Sequence, residues 1–579
     1  MTNLRVWAPN ATTVAVRLDD GRRPMTVSGD AGWWEVELPG LEAGTSYGFV
    51  VDDGDPRPDP RGVWLPDGVH GLNRVYDQRA YDWADEDWRG LALPGAVVYE
   101  LHVGTFTAEG TFAAAAERLD HLVALGVDVV ELLPVHAFPG IRGWGYDVAA
   151  PYAVHEPYGG PDALKAFVDA CHAKGLGVAL DVVYNHLGPD GAYLVDFGPY
   201  LTDTYTTPWG PAVNLDGPGS DDVRAYLVDN ALMWLRDFHL DGLRIDAVHA
   251  FVDRSATHLL EELTVAVEAL AARTGRARFL VAESDLGDPR VITSRARYGY
   301  GIDAQWSDDF HHALHVTLTG ETAGYYADFA AGIDDLATAL REGYVYTGQH
   351  SVVRGRRHGR APEGVAGWQL LGYLQNHDQI GNRARGERSS ALLSPGLQQV
   401  AAALVLTAPF TPMLFMGEEW GASTPWQYFT DHGDTAIADL VRSGRRAEFA
   451  GFGWRPEDVP DPQDPATFTR STLDWSEVDR EPHRSLLAWH RKLIALRRRV
   501  PELASGRLGD AHVDHADDGS WLVVRRGDVV VAANLGPDRR QVLVGGAPTH
   551  VLAASERGWS FRNGSIDLPG ESVAIATIR

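Results

Sequence analysis

The strongest constraint on the fold of this chain is an alternation of short apolar segments with amphipathic helical segments between about residues 93 and 480. Parallel strands need long crossover connections, which are usually helices, so the alternation predicts βαβ units. Eight strand candidates begin at Val97, Val127, Val178, Leu243, Phe279, Ile302, Leu370 and Met413. Eight such units close most economically as a (β/α)8 TIM barrel, which makes the chain an α/β protein.

Two regions of different pattern flank the predicted barrel. Residues 1–92 alternate apolar and polar positions at period two, which predicts an N-terminal β-sandwich. Residues 481–579 begin with a linking helix, whose basic end at 497–499 is expected to face solvent, and continue as a C-terminal antiparallel β domain. Residues 187–220 follow the third strand and are too long for an ordinary loop, so we predict a lid or small subdomain there, within the 93–480 catalytic barrel.

The charge balance excludes two classes of partner. The chain has 51 Lys and Arg against 79 Asp and Glu, a net charge of −28. Such a surface repels phosphate backbones and anionic lipid headgroups. We therefore expect neither nucleic acid nor a membrane as a partner.

Cysteine content and hydropathy bear on the compartment. Cys171 is the only cysteine, so no intrachain disulfide can form, and a reducing cytoplasm is expected. The first residues lack the apolar core of a secretory signal, and the longest apolar run, 400–416, contains Pro409 and Pro412. The sequence thus predicts a cytoplasmic protein without a membrane span.

Four acidic residues follow apolar strands of the predicted barrel: Asp181, Asp246, Glu283 and Asp378. The carboxyl ends of barrel strands surround one cavity, so these side chains should converge. Burying an ionised carboxylate costs on the order of several kcal/mol of hydration free energy. A protein tolerates this cost where the carboxylate is paired with a cation or has a function. The convergent acids can bind a divalent cation, form structural ion pairs, or supply the acid and nucleophile of glycoside chemistry.

Arg244 favours the last interpretation. It lies two residues before Asp246 on the same strand, so both side chains face the same way. A guanidinium there keeps Asp246 ionised, as a nucleophile requires, and disfavours a second cation such as a metal. His186 and His377 are expected to add neutral donors for sugar hydroxyls.

These residues lie in four ordered segments that resemble the signature regions of the α-amylase family, glycoside hydrolase family 13. The segments are DVVYNH (181–186), GLRIDAVH (242–249), AESD (282–285) and QNHDQ (375–379). The resemblance implies Asp246 as the nucleophile, Glu283 as the general acid/base and Asp378 as the acid that holds substrate hydroxyls. It also implies supporting roles for Arg244, His186 and His377, with Asp181 orienting the arginine, and an N-terminal domain like a carbohydrate-binding module.

Further segments are similar to one subgroup of that family. They include PDGVHGLNRV (66–75), YELHVGTFTAEGTF (99–112), QWSDDFHHALHV (305–316), QNHDQIGNRA (375–384) and YFTDH (428–432). The similarity implies malto-oligosyltrehalose as substrate, hydrolysis of the α-1,4 bond beside its terminal trehalose unit, and a pathway shared with the synthase that makes this substrate. An α-1,4-glucan branching or debranching enzyme and an inactive glucan-binding protein remain the alternatives.

The resemblance and the loop positions together suggest further substrate contacts. Tyr146, in GWGYD after the second strand, is expected to stack on the sugar at the cleavage point. Candidates for the trehalose side are Trp306, Asp308 and Asp309 after the sixth strand and Glu387 after the seventh. We expect no metal and no cofactor. The histidines at 311, 312 and 315 lack the glutamate of a zinc motif. The 187–220 segment offers no dense carboxylate cluster for calcium.

Overall fold

The barrel forms as predicted. The computed structural model describes residues 2–29, 32–450, 455, 458–562 and 564–579. Eight parallel strands close into a barrel in chain order, so the predicted fold class is confirmed. They are β1 (Val98–Leu101), β2 (Val129–Leu132), β3 (Gly177–Val182), β4 (Gly242–Ile245), β5 (Phe279–Ala282), β6 (Ala304–Trp306), β7 (Leu370–Gly372) and β8 (Thr411–Phe415).

Helices join most of these strands on the outside of the barrel. The connecting helices include Phe112–Ala116, Leu119–Leu125, Gly160–Ala173, Ser220–Asp237, Leu259–Thr274, Asp308–Thr319, Ile333–Glu342 and Pro395–Thr407. Further helices follow β8, including Thr435–Ala450, Pro465–Ser471 and His483–Arg499. The crossover from β5 to β6 differs, because it contains a 3-10 turn, Arg295–Arg297, where the other crossovers have a helix. Apolar side chains such as Val98, Val129, Val281 and Met413 fill the barrel interior.

Both flanking regions are antiparallel β structures. The N-terminal region packs the strands Thr2–Trp7, Trp33–Leu38 and Thr26–Val27 in one sheet and Gly21–Pro24, Val14–Leu18, Ser46–Val51 and Asn73–Arg74 in another. The C-terminal region has a five-stranded sheet of Ala511–His515, Trp521–Arg526, Val529–Asn534, Ser572–Ile578 and Pro548–Ala554, and a three-stranded sheet of Arg540–Leu543, Ser565–Leu568 and Ser560–Arg562. Burial alternates along strands such as Val14–Leu18 and Ala511–His515, as the period-two pattern predicts, whereas the strand Val529–Asn534 is buried at every position.

Two hairpins rise from the carboxyl end of the barrel. The first, Leu201–Thr207 with Gly210–Val213, lies within the predicted lid. It is supported by the N-terminal region, where Arg57 Nε donates to Asp196 Oδ2 at 2.7 Å and the rings of Phe49 and Phe197 meet edge to face. The second hairpin, Thr347–Ser351 with Arg356–Gly359, lies between β6 and β7, and the sequence pattern did not predict it.

Two buried arginines join the C-terminal region to the barrel. Arg497 donates to the carbonyls of Leu406 (3.2 Å), Ala408 (3.0 Å) and Phe410 (2.8 Å), at the end of the helix Pro395–Thr407. Arg526 donates to Thr407 O at 2.8 Å, and both arginines donate to Leu503 O. The expectation that residue 497 faces solvent is therefore wrong, because the carbonyls left unpaired at a helix end recruit its guanidinium.

Arg526→Met should lower stability by about 2–3 kcal/mol, because it leaves buried carbonyls without the charged donor that satisfies them. The measurement is the thermal unfolding midpoint at a fixed scan rate. Arg499→Met is the matched control, since residue 499 is exposed on the linking helix and should change stability by less than about 0.5 kcal/mol. Equal midpoints for the two variants would contradict this account of the interface.

Candidate active site

A cavity of about 870 Å³ opens at the carboxyl end of the barrel. The loops after the barrel strands converge there, as the fold requires. The cavity is lined by three of the four acids singled out from the sequence, Asp246, Glu283 and Asp378, together with Tyr146, His186, Arg244, His377, Trp306, Asp308 and Asp309. Residues separated by more than two hundred positions in the chain thus share one site.

A fully buried guanidinium joins the two acids assigned to bond cleavage. Arg244 Nη1 donates to Asp246 Oδ1 at 2.6 Å and to Asp181 Oδ2 at 2.7 Å. Its Nη2 lies 3.0 Å from Glu283 Oε2. Because β3, β4 and β5 are neighbouring strands, each supplies one of these acids to the same cation. Asp246 and Glu283 are therefore both held by the guanidinium of Arg244.

Each of the two acids has a second anchor. Asn185 Nδ2 donates to Asp246 Oδ2 at 3.1 Å, and the Ala247 backbone N–H donates to Glu283 Oε2 at 2.8 Å. Ala247 has φ 40°, in the left-handed region that a residue with a side chain rarely adopts. Such a conformation directly after the proposed nucleophile is typical of functional sites.

Asp378 is fixed by a helix start. Asn376 caps the short helix His377–Gly381 and accepts from the backbone N–H groups of Asp378 (2.9 Å) and Gln379 (3.3 Å). Asn382 Nδ2, one turn later, donates to Asp378 Oδ1 at 2.8 Å. Burial raises the pKa of Asp378, and the charge of Glu283 adds to that effect.

Tyr146 and His377 lie together, and their polar atoms are already occupied. The Tyr146 hydroxyl donates to Asp181 Oδ2 at 2.6 Å and lies 2.8 Å from His377 Nε2. His377 Nδ1 lies 2.5 Å from Glu100 Oε1. Burial lowers the pKa of His377, but the Glu100 carboxylate outweighs this effect and the net pKa is raised, which is the direction opposite to that expected of a neutral donor. Stacking of Tyr146 on the sugar stays a prediction.

Burial lowers the pKa of His186, which is the direction expected of a neutral side chain, although both of its ring nitrogens lie against oxygen atoms. Its Nδ1 lies 2.9 Å from Asn185 Oδ1 and its Nε2 3.0 Å from Tyr146 O. The indole of Trp209, from the first hairpin, stacks on the imidazole with centroids 5.0 Å apart. The lid thus contributes an aromatic wall to the cavity, which the sequence analysis did not assign.

The residues suggested for the trehalose side have different surroundings. Trp306 is buried on the cavity floor, with the guanidinium of Arg244 4.1 Å from its ring centroid. Asp308 accepts from the Tyr373 hydroxyl at 2.7 Å, and burial raises its pKa to about 8. Asp309 accepts from the backbone N–H groups of Val345 and Tyr346, so it fixes the start of the second hairpin.

Glu387 lies apart from the cavity lining. Its carboxylate accepts from the Arg385 backbone N–H at 3.3 Å and lies 3.7 Å from Arg383 Nε. The structure therefore does not bring it to the other candidates. A position inferred only from a loop's place in the chain cannot fix the direction of a side chain within that loop.

Two acids on the first strands were missed. Glu100 on β1 and Glu131 on β2 are buried inside the barrel at the same level, since they are register partners. The signal is present in the sequence, because YELHV and VVELL each carry one acid within an otherwise apolar strand. An acid at such a position needs a partner or a proton for the same reason as those at the strand ends.

The candidate ligands for metals have protein partners instead. His311 Nδ1 lies 2.8 Å from Leu374 O, and His315 Nε2 lies 2.8 Å from Glu321 Oε2. Asp196, in the lid, pairs with Arg57. Among the residues that the structure describes, no group of three or more His, Cys, Asp or Glu side chains is arranged to hold a metal ion. Within the same residues, no helix has the length and apolarity needed to cross a bilayer.

The barrel and its convergent acids define a glycoside hydrolase of the α-amylase class. The α-amylase catalytic domain model matches residues 74–199, the carbohydrate-binding module 48 model (isoamylase N-terminal domain) matches 1–65, and a domain of unknown function, DUF3459, matches 506–575. The crystal structure of a Salmonella typhimurium protein described as an alpha amylase superimposes on this chain with a TM-score of 0.91. The two are 39% identical, and the match covers 100% of this chain and 97% of that one.

Two curated relatives narrow the assignment. The malto-oligosyltrehalose trehalohydrolase of Arthrobacter ramosus is 52% identical, covering 98% of both chains. The malto-oligosyltrehalose trehalohydrolase of Rhizobium sp. strain M-11 is 50% identical, covering 98% of this chain and 96% of that one. The chain belongs to the malto-oligosyltrehalose trehalohydrolase family, which confirms the resemblance drawn from the motifs.

Replacing the shared cation should make stability depend more strongly on pH. In Arg244→Met the neighbouring acids lose the charge that opposes the effect of burial, which already raises the pKa of Asp181 to about 7. An acid whose folded pKa is raised stabilises the fold below its unfolded pKa, and this contribution is lost as pH rises through the folded value. The deficit in unfolding midpoint relative to the parent should therefore grow between about pH 6 and pH 9, where Asp181 ionises in the parent and stays protonated in the variant.

Thermal unfolding across this pH range provides the measurement. Arg484→Met is the control, since its ion pair with Glu481 is exposed and should contribute at most about 1 kcal/mol at any pH in the range. A deficit in Arg244→Met that stays constant with pH would contradict the assignment of Arg244 as the charge that opposes the effect of burial on the pKa of Asp181.

Proposed function

We propose that this chain is a retaining glycoside hydrolase that cleaves the α-1,4-glucosidic bond beside the terminal trehalose unit of malto-oligosyltrehalose. The products are free trehalose and a shortened malto-oligosaccharide. One observation supports a retaining reaction. The buried guanidinium of Arg244 lies 2.6 Å from Asp246 Oδ1 and 3.0 Å from Glu283 Oε2. Two carboxyl groups held this close suit direct attack on the anomeric carbon, because retention requires a separation of only about 5–5.5 Å.

Glu283 and Asp246 have different roles in the reaction. Glu283 gives its proton to the glycosidic oxygen as the bond to the anomeric carbon breaks, and trehalose leaves with that proton. Asp246 attacks the same carbon from the opposite face and forms a covalent glycosyl ester. Glu283, now ionised, takes a proton from water, whose oxygen displaces Asp246 and restores both acids. Arg244 and Asn185 keep Asp246 oriented for both steps.

Asp378 and the aromatic walls bind and orient the sugar. Asp378 lines the cavity with one oxygen anchored by Asn382, which leaves its other oxygen for substrate hydroxyls. Trp209 and Trp306 present flat apolar rings suited to pyranose faces. Selection of a trehalose leaving group requires contacts on the far side of the cleaved bond, and Trp306 and Asp308 are our candidates there.

The reaction needs an enzyme that supplies its substrate. A synthase that converts the reducing end of a malto-oligosaccharide into a trehalose unit makes the required bond, so the proposed place of this chain is the releasing step of trehalose biosynthesis. The names and identities of the two relatives support this assignment. A cytoplasmic location and the absence of nucleic-acid partners stay predictions from cysteine content and charge.

Incubation of the purified protein with malto-oligosyltrehalose, followed by chromatography of the sugars, tests the substrate. We expect trehalose as the main disaccharide and only slow attack on amylose or pullulan. New branch points in amylose would favour a branching enzyme, and rapid pullulan cleavage would favour a debranching enzyme. Binding of glucan without any turnover would favour the inactive glucan-binding alternative.

Glu283→Gln and Asp246→Asn should each lower kcat by at least about a thousandfold, because each removes a group that acts in the bond-breaking step. Thermal unfolding midpoints establish that the variants are folded, and the exposed Glu117→Gln variant provides the control for handling. A loss of less than about tenfold in either variant would show that the roles are misassigned.

A further inference from the structure

We propose that Glu100 is a positioning residue that holds His377 in its doubly protonated form and thereby sets the direction of the hydrogen-bond chain from His377 through Tyr146 to Asp181, the acid that shares Arg244 with the proposed nucleophile Asp246. The proposal rests on the proposed function, because it concerns the same cleavage reaction. It assigns a role to a buried acid on β1 that does not line the cavity and that the search for acids at strand ends did not select.

Glu100 contacts His377 through both of its carboxylate oxygens. Its Oε1 lies 2.5 Å from His377 Nδ1, and its Oε2 accepts the His377 backbone N–H at 3.1 Å. Both side chains are almost fully buried, with 1% and 3% of their surface exposed. A carboxylate that receives two bonds from one residue, away from water, fixes both the position and the orientation of that imidazole.

Counting protons then determines the state of the ring. The Tyr146 hydroxyl has one proton, and it donates this proton to Asp181 Oδ2 at 2.6 Å. Its oxygen must therefore accept from His377 Nε2, which lies 2.8 Å away. Glu100 Oε1 accepts from Nδ1. Since both ring nitrogens donate, the imidazole carries both protons and a positive charge.

The direction of this chain matters at the nucleophile. Protons are donated from His377 to Tyr146 and from Tyr146 to Asp181, while Arg244 Nη1 bridges Asp181 and Asp246. A neutral His377 protonated at Nδ1 would present a lone pair at Nε2. That lone pair and Asp181 would then compete for the single Tyr146 proton, and Asp181 would lose one of its donors.

The charges around His377 come from several elements. Glu100 on β1 and Asp378 favour the imidazolium, whereas Arg244 on β4 and burial oppose it. Asp181 faces the ring across Tyr146. His102, after β1, is kept uncharged by burial, which lowers its pKa to about 3. Glu100 is thus the carboxylate in direct contact with the ring that offsets the neighbouring guanidinium, and the net pKa of His377 is raised.

Glu100→Gln tests the proposal, with Glu131→Gln as the matched control. The amide cannot accept at both atoms, so His377 should lose its charge near neutral pH. Glu131 lies at the same level of the barrel, but burial raises its pKa and so favours the neutral form, which glutamine resembles in shape and charge. The measurements are kcat and KM for trehalose release as functions of pH.

We expect the alkaline limb of the kcat profile of Glu100→Gln to move toward acid pH by at least about one unit, because His377 deprotonates earlier without its carboxylate partner. At pH 8, kcat should fall about tenfold or more with KM changed by less than about threefold, since the altered chain acts on the nucleophile. Glu131→Gln should keep the parent profile. Glu100→Asp, which retains the charge, should give an intermediate profile.

A second readout does not require turnover. An ion pair between Glu100 and His377 stabilises the fold while histidine in the unfolded chain is still protonated, and this contribution falls as pH rises through the raised folded pKa. The parent protein should therefore exceed Glu100→Gln in unfolding midpoint by more at about pH 6 than at about pH 9. If Glu100→Gln fails to fold, Glu100→Asp takes its place in both measurements.

The outcomes separate the two proposals. A uniform loss of kcat with an unshifted pH profile, or a stability difference that does not change with pH, overturns the role of Glu100. Failure of the parent protein to release trehalose overturns the proposed function, and the pH dependence of unfolding then still decides whether Glu100 holds His377 charged.

Discussion

The placement of one buried guanidinium among carboxylates governs the organisation of the active site. Arg244 has no exposed surface and lies within 3.0 Å of acids from three consecutive strands. Without Arg244, placing Asp181, Asp246 and Glu283 so close together would cost hydration free energy and add repulsion between their charges, and no charge of this guanidinium would offset either. The need to satisfy one cation therefore fixes the relative positions of the two acids that the proposed reaction requires, and the barrel supplies the strand spacing.

The polar network extends beyond the arginine into the barrel interior. Glu100, His377 and Tyr146 continue the chain from Asp181 to the opposite side of the barrel. Such networks are strengthened by the low dielectric of the interior, and each member becomes costly when it loses its partner. The site is thus a connected set of charges, so the protonation of a residue outside the cavity can influence the nucleophile.

Much of this arrangement could be predicted from the sequence, and the exceptions have physical causes. The eight strands and the residues Asp246, Glu283 and Asp378 follow from apolar segments that end in acids, because barrel closure brings strand ends together. Glu387 could not be placed from the sequence, since the position of a loop in the chain does not fix where its side chains point, and the contact of Asp309 with the backbone of residues 345 and 346 depends on a hairpin that the pattern did not predict. Arg497 was misjudged because its partners are carbonyls of a helix about ninety positions earlier in the chain.

The flanking regions take part in the site through the lid. Arg57 and Phe49 of the N-terminal region hold Asp196 and Phe197, and the same segment leads into the hairpin that places Trp209 against His186. These contacts give the long connection of residues 187–220 packing partners that a surface loop of that length would lack. The N-terminal region therefore shapes the cavity from outside the barrel, and its aromatic residues serve packing at this contact, where they are covered by the lid.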